Sequence, residues 1–295
     1  GGGLPEGAAA MISGRAGTGK TNLAAAIAAA AAADGRSVHY LTFEQAVGDI
    51  VNNAERIGIP LAAPRADGRL TVDARSPVEC GLEEHLLRIH RIIDTSAPDM
   101  LIVDPVSSLW EMGDSGHAKA MLLRLLDAAK ARGLTTIITE LLPDSWGDVS
   151  VVNASSLIDS WIKLRSMEQE GEFIRLIHVI KARGQPMSGQ TREFRITEDG
   201  LDVERPYMGA GGMVYGSAKA ARQEAEAAAD RRRETEIEQL ERQVEAEREA
   251  ARVRRQSVDN EAEQRELELQ KRIDTLKAEQ EQRRRAWERM EASRK

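Results

Sequence analysis

Eight consecutive residues near the start of the chain, Gly14-Arg15-Ala16-Gly17-Thr18-Gly19-Lys20-Thr21, fit G-x-x-x-x-G-K-[ST] at every fixed position. These residue types in this order suit a polyphosphate. Gly14, Gly17 and Gly19, with Thr18 between, let backbone N–H groups close around phosphate oxygens. Lys20 would neutralise charge on the β- and γ-phosphates of ATP, and the Thr21 hydroxyl would bind Mg²⁺. The apolar run Ala8–Ser13 precedes the loop and the helix-forming run Thr21–Ala33 follows it. That is the strand–loop–helix context the chemistry requires. A Gly-rich turn with an incidental lysine is the alternative, but a chance match in a chain this long is roughly a 1% event.

Three further places carry candidate chemistry. Asp104 ends the apolar run Met100–Val103, where an acid can reach the metal shell or merely cap the next turn. Glu44 closes the run Ser37–Phe43, beside Gln45, and could polarise a nucleophilic water or hydroxyl. Lys181 and Arg183 end another strand-like run. Two cations there could stabilise γ-phosphate charge, from the same subunit or a neighbour, and surface charge is the competing reading. The histidines do not suggest a metal site, since His85 and His90 stand five apart, on separate sides of a helix. The single cysteine, Cys80, excludes an intrachain disulfide, fits a reducing cytoplasm, and is expected to be buried or inert.

The elements that must position these residues alternate. Strand-like runs at 8–13, 37–43, 70–73, 100–103 and 134–139 are separated by helical runs at 21–33, 46–57, 82–95 and 118–131. This order predicts an α/β domain, a P-loop fold with a mainly parallel central sheet. Consecutive strands at 160–166, 172–181 and 190–196 are then expected to form an antiparallel extension. Gly216 is the last glycine and Pro206 the last proline of 295 residues. Beyond them, residues 217–295 hold 20 of the 41 basic and 20 of the 48 acidic residues, so the net charge of −7 resides wholly in the first part. We therefore expect a globular domain over 1–205, a linker over 206–217 and a long helix over 218–295. In the tail, Ile237, Leu240 and Val244 form one 3–4 seam, and Leu269, Ile273, Leu276, Trp287 and Met290 another, out of register by one residue. A weak coiled coil, or a solvated single helix, follows. An acidic domain without a basic, aromatic-studded loop argues against nucleic acid as partner. The Ala-rich run Leu23–Ala33 is too short to span a bilayer, so no membrane association is expected. A start at Gly1 on a Gly-rich stretch suggests a piece of a longer protein.

Several segments together resemble the KaiC family, RecA-like ATPases of the cyanobacterial circadian clock. They are Gly1–Gly7 before the phosphate loop; Thr42-Phe43-Glu44-Gln45 with Asp49–Ala54; Leu101–Ser108; Lys181-Ala182-Arg183-Gly184; and Arg192–Gly200. The resemblance spans about residues 1–216. It implies a homohexamer with ATP between subunits, catalytic roles for Lys20, Asp104 and Glu44, and Lys181 and Arg183 reaching a neighbour's nucleotide. It departs at Gln45, where the family usually has a second acid. Counting back from Lys181 aligns Ser155-Ser156 with the family's autophosphorylated pair, which implies an ATPase that is also a serine autokinase. The helical tail is similar to extensions that join two hexamers into a dodecamer, and a KaiB-like clock protein is the implied partner. Two other readings stay open: a RecA-like DNA-acting ATPase, and a nucleotide-gated coiled-coil scaffold without kinase activity.

Overall fold

The computed structural model describes residues 3–112, 115–142, 157–169, 171–209 and 212–292. The chain divides into two compact units, Gly1–Arg222 and Gln223–Lys295. In the first, nine strands make one sheet in the order β3-β2-β4-β5-β1-β6-β7-β8-β9. They are β1 (Ala9–Gly14), β2 (Val38–Thr42), β3 (Leu70–Ala74), β4 (Met100–Asp104), β5 (Thr135–Leu141), β6 (Ser160–Gln169), β7 (Glu172–Ala182), β8 (Arg192–Thr197) and β9 (Gly200–Glu204). Strands β1–β6 are parallel to one another, and β7–β9 follow as antiparallel pairs starting from β6. The fold is α/β with a mainly parallel sheet, as expected. The strand at 160–166 differs, because it pairs parallel with β1 on one side and antiparallel with β7 on the other. Consecutive strand-like runs say nothing about which edge a strand joins, and β6 takes the open side of β1.

Helices α1 (Lys20–Ala33), α2 (Val47–Arg56), α3 (Ala62–Ala66), α4 (Leu82–Ser96) and α5 (Ser115–Ala131) cover the sheet. The alanines of α1 explain the core on its face. Ala24, Ala25, Ala28 and Ala32 are buried, and side chains of one carbon let the helix lie close on β1, β2 and β4. The other face packs Leu101 and Val103 of β4 against α4 and α5 through Ile89, Leu122 and Leu126. Helix α1 ends as its Asp34-Gly35 pair foretells, with Gly35 at φ +84° and Arg36 N–H returning to the Ala31 carbonyl. The expected linker over 206–217 contains a two-stranded hairpin, β10 (Tyr207–Gly209) with β11 (Gly212–Val214). The tail is one helix, α6 (Gly216–Ala292), as expected of a breaker-free tract. Among the described residues no helix is long and apolar enough to cross a membrane.

One glycine holds two of these elements together. Gly58 ends α2 at φ +71°, and a β-carbon there would lie 2.5 Å from the Glu198 carbonyl oxygen in the β8–β9 turn. Gly68 has nearly the same backbone, φ +74°, but open space around it. Gly68→Ala is expected to cost about 1–2 kcal/mol, the strain of the left-handed region alone. Gly58→Ala should cost about 1–3 kcal/mol more, the added penalty of overpacking. Urea denaturation of the two variants checks the difference. Equal midpoints would show that the close approach relaxes freely.

Candidate functional site

The phosphate loop leaves β1 at Gly14 and enters α1 at Lys20. Its glycines are required by geometry. Gly17 and Gly19 sit at φ +75° and +96°, and a β-carbon on Gly14 would meet the Leu164 carbonyl oxygen at 2.7 Å. Thr18, fully buried, donates its hydroxyl to the Arg15 carbonyl at 2.8 Å. Lys20 Nζ donates to the same carbonyl at 2.9 Å. Burial lowers the Lys20 pKa, and the nearby charges of Asp104 and Glu44 offset part of that. Lysine and two carboxylates thus face one another across a cavity of about 410 Å³, whose lining also includes Gly17, Gly19, Thr21 and Gln45.

The sheet brings the acids here. Strand β2 pairs with β4 so that Thr42 lies opposite Asp104, and parallel strands carry Glu44 and Asp104 to the same end as the loop. The crevice at the carboxyl ends of parallel strands is where such sheets bind ligands. Asp104 is buried, with Tyr40 donating to Oδ2 at 2.6 Å and Thr139 donating to Oδ1. Glu44 is exposed and accepts from the Ser108 hydroxyl at 3.2 Å. The Thr42 hydroxyl caps the turn after β2, accepting from Gln45 N–H at 3.3 Å.

For Mg²⁺ the donor chemistry fits. The cavity offers the Asp104 carboxylate and the Thr21 hydroxyl, hard oxygen ligands of the kind the ion takes alongside phosphate and water. No group of three or more His, Cys, Asp or Glu able to hold a metal occurs among the described residues, so a protein cage is absent from that part. Thr21 after the loop and Asp104 at the end of β4 would together supply two ligands and leave the rest of the shell to a nucleotide and water.

Lys181 and Arg183 lie elsewhere. Strand β7 runs antiparallel to β6, so Lys181 stands opposite Trp161, itself paired with Met11 of β1. That is three residues down β1 from Gly14, or roughly 10 Å, and Arg183 is farther still. Lys181 Nζ donates to the Ile158 carbonyl at 2.6 Å, and Arg183 lies 3.4 Å from Asp159 Oδ1. Burial works to raise the Asp159 carboxyl. The Ala9 N–H, Lys130 and the Arg183 charge outweigh it and hold Asp159 below the usual carboxylate value. The end of β7 thus carries both cations away from the phosphate loop of their own chain. Ser155 and Ser156 lie outside the described residues.

The structure adds residues that sequence patterns did not single out. Arg175 of β7 donates Nε–H to the Gly17 carbonyl at 3.3 Å and lines the cavity. Phe194 of β8, 1% exposed, abuts Gly19. Only strand register reveals either one. Cys80 is half-buried rather than buried, and desolvation raises its thiol pKa, as an inert thiol requires. His39 is packed in the core, where desolvation lowers its pKa, and His178 meets the Thr191 hydroxyl at 3.2 Å.

Comparison with known proteins follows the same lines. Residues 1–207 match the family described as "ATPase: KaiC". The chain is 33% identical over 246 residues to "Circadian clock protein KaiC2" of Synechocystis sp., covering 82% of this chain and 43% of that protein. It is 29% identical to "Circadian clock protein KaiC3" of the same organism, over 70% of this chain and 41% of that one. It is 26% identical to "Circadian clock oscillator protein KaiC" of Parathermosynechococcus lividus, over 74% and 40%. The chain thus spans about two fifths of the length of the curated relatives it matches.

Lys20→Ala is expected to abolish measurable ATP binding in calorimetry. Removing one partner from a buried charge cluster costs about 2–5 kcal/mol. An affinity equal to wild type would mean that the loop is not the phosphate site.

Proposed function

The chain belongs to the KaiC family of ATPases, and from that premise we propose that it binds Mg-ATP between subunits of a homohexamer, hydrolyses it and phosphorylates its own serines. One observation carries this reading. Lys20, Asp104 and Glu44 converge on a glycine-lined cavity at the carboxyl ends of parallel strands.

The roles follow from position. Gly14, Gly17, Thr18 and Gly19 cradle the phosphates, and Lys20 neutralises their charge. Thr21 and Asp104 hold Mg²⁺, which when bound spreads the charge of the transferring phosphoryl group. Glu44, exposed at the mouth, accepts a proton from the attacking hydroxyl. With water as nucleophile the products are ADP and phosphate. With a serine hydroxyl, the new bond is Ser Oγ to the γ-phosphorus and ADP leaves. Lys181 and Arg183 act on a neighbour's nucleotide, a role supported by their distance from their own loop. The acceptor serines are Ser155 and Ser156, by their spacing from Lys181. A timer role rests on the relatives' printed clock names, while a KaiB-like partner rests on the family resemblance and a cytoplasmic setting on the single cysteine. The scaffold reading keeps one specific support, since Gln45 lines the cavity where the family usually has an acid.

Incubation with Mg-ATP, read by phosphate release and by intact mass, tests the proposal. Wild type is expected to turn over ATP and to gain one or two phosphate increments, mapped to Ser155 or Ser156. Glu44→Gln is expected to retain ATP and lose both activities by ~10²-fold or more, the size of a general-base contribution. Turnover without any mass increment would leave a plain ATPase. Binding without turnover would favour the scaffold.

The tail supports a second level of assembly. Its exposed apolar residues, Ile237, Leu240, Val244, Ile273 and Leu276, need partner helices, and six tails on one ring would gain from multivalency. The helix root belongs to the globular unit, where Lys219 pairs with Glu204 at 2.8 Å. Truncation after Arg222 is therefore expected to leave a folded, ATP-binding hexamer that no longer forms dodecamers. Mass photometry of both chains decides. An unchanged assembly would assign the tail to an external partner.

A further inference from the structure

We infer that Tyr40 is a positioning residue for Asp104, holding its carboxylate in the orientation that serves the metal of bound ATP. The inference rests on the reading of Asp104 as a Mg²⁺ ligand and names a residue that reading does not include.

The argument begins with an anomaly in the core. Strand β2 is buried along its whole length, between β3 and β4. Its position 40 lies in the apolar cluster on the α1 face, with Val38, Ile102 and Ile137 around it. Phenylalanine would fill that space with no polar atom to satisfy. A tyrosine with no exposed surface must find an acceptor for its hydroxyl. The acceptor is Asp104 Oδ2, at 2.6 Å.

Register explains how the two meet. Tyr40 is paired with Ile102, two residues before Asp104 and on the same face, so the ring runs up the strand beneath the carboxylate. On the other side, Ile138 of β5 is paired with Val103, which sets Thr139 beside Asp104. Thr139 donates its hydroxyl to Oδ1. Three adjacent strands thus supply one carboxylate and two donors. Each oxygen accepts from a different neighbour, which fixes both the position and the plane of the group.

The type of donor matters. Both donors are neutral hydroxyls, whereas an arginine or lysine at either place would cancel the negative charge. Neutral donors orient the group and leave its charge for a cation, with one lone pair on each oxygen still free of them. Partners behind a metal ligand typically change metal affinity by about 10- to 100-fold when removed. A tyrosine serving only to fill the core would have no such effect.

The test is ATP binding to the full-length chain, followed by calorimetry in excess EDTA and across a Mg²⁺ titration. Wild type, Y40F, T139V, D104N and the Y40F/D104N pair are compared. Y40F keeps the ring and removes only the hydroxyl. It is expected to bind metal-free ATP like wild type and to need about tenfold more Mg²⁺ for half-maximal tightening. T139V should shift in the same direction. In the D104N background, Y40F should add no further shift. Y40F matching wild type while D104N has lost the Mg²⁺ response overturns the inference and spares the site. Loss of metal-free binding together with folding in Y40F, judged by circular dichroism, overturns it in favour of a packing role. A wild-type affinity indifferent to Mg²⁺ overturns both the inference and the metal role of Asp104.

Discussion

The phosphate loop is gripped at both ends by strands that arrive 150 and 175 residues later in the chain. A β-carbon on Gly14 would collide with the Leu164 backbone of β6, and one on Gly19 would lie 2.9 Å from the Phe194 ring of β8. The loop's shape is therefore not a local property of its eight residues. Glycine supplies the backbone freedom, and the late strands occupy the space that a side chain at Gly14 or Gly19 would need. Because Arg175 of β7 also bonds the Gly17 carbonyl, the outer half of the sheet is part of the site's wall. The family match ends at residue 207, just past β9, so it takes in these late strands together with the loop.

How far the sequence reveals this depends on whether a feature is local. The loop, Asp104 and Glu44 are legible because a motif or a strand end marks each one. The helices around them are legible from period and from glycine stops, as at Asp34-Gly35 and Gly58. Strand β6 is not, since a run at 160–166 reads the same whether it joins β1 in parallel or folds back. The hairpin at 207–214 is hidden by the glycines that suggest a linker, yet Met208 pairs opposite Met213. Lys181 and Arg183 are visible as a pair, but only the register shows which end of the sheet they occupy. Tyr40 is hidden for a different reason. Aromatic residues suit a buried strand, and nothing local separates a tyrosine that fills space from one whose hydroxyl has a partner.

Strand alternation also explains why the tail begins where it does. On β7, Arg175 turns toward the loop while Ile174 and Leu176 turn the other way, where Tyr215 packs on them. On β8, Phe194 meets the loop while Glu193, buried, accepts from the Gly216 N–H at 3.0 Å. Glu172 accepts from the Ser217 N–H and hydroxyl at 3.0 and 2.8 Å, and these bonds hold its carboxyl below the usual range. The first N–H groups of a helix have no partners within it, and carboxylates are their favoured acceptors. Two adjacent strands thus serve the loop with one face and the start of α6 with the other. Period two makes a single pair of strands sufficient for both.

Past Arg222 the helix depends on its own chemistry. Its side chains are exposed nearly throughout, and it carries ion pairs such as Arg242–Glu238 and Arg285–Glu281 at i,i+4 spacing. Each such pair contributes about 0.2–0.5 kcal/mol, enough to favour helix over coil in a tract free of glycine and proline. They do nothing for Ile237, Leu240 and Val244, which stay about half exposed along one stripe. Charge pairing therefore explains why the tail is helical, and it leaves the apolar stripe unexplained. Balanced charge, 20 basic against 20 acidic residues, adds no net repulsion between two such helices. That exposed stripe, on a helix that does not need it for helicity, is the feature on which the proposed pairing of tails rests.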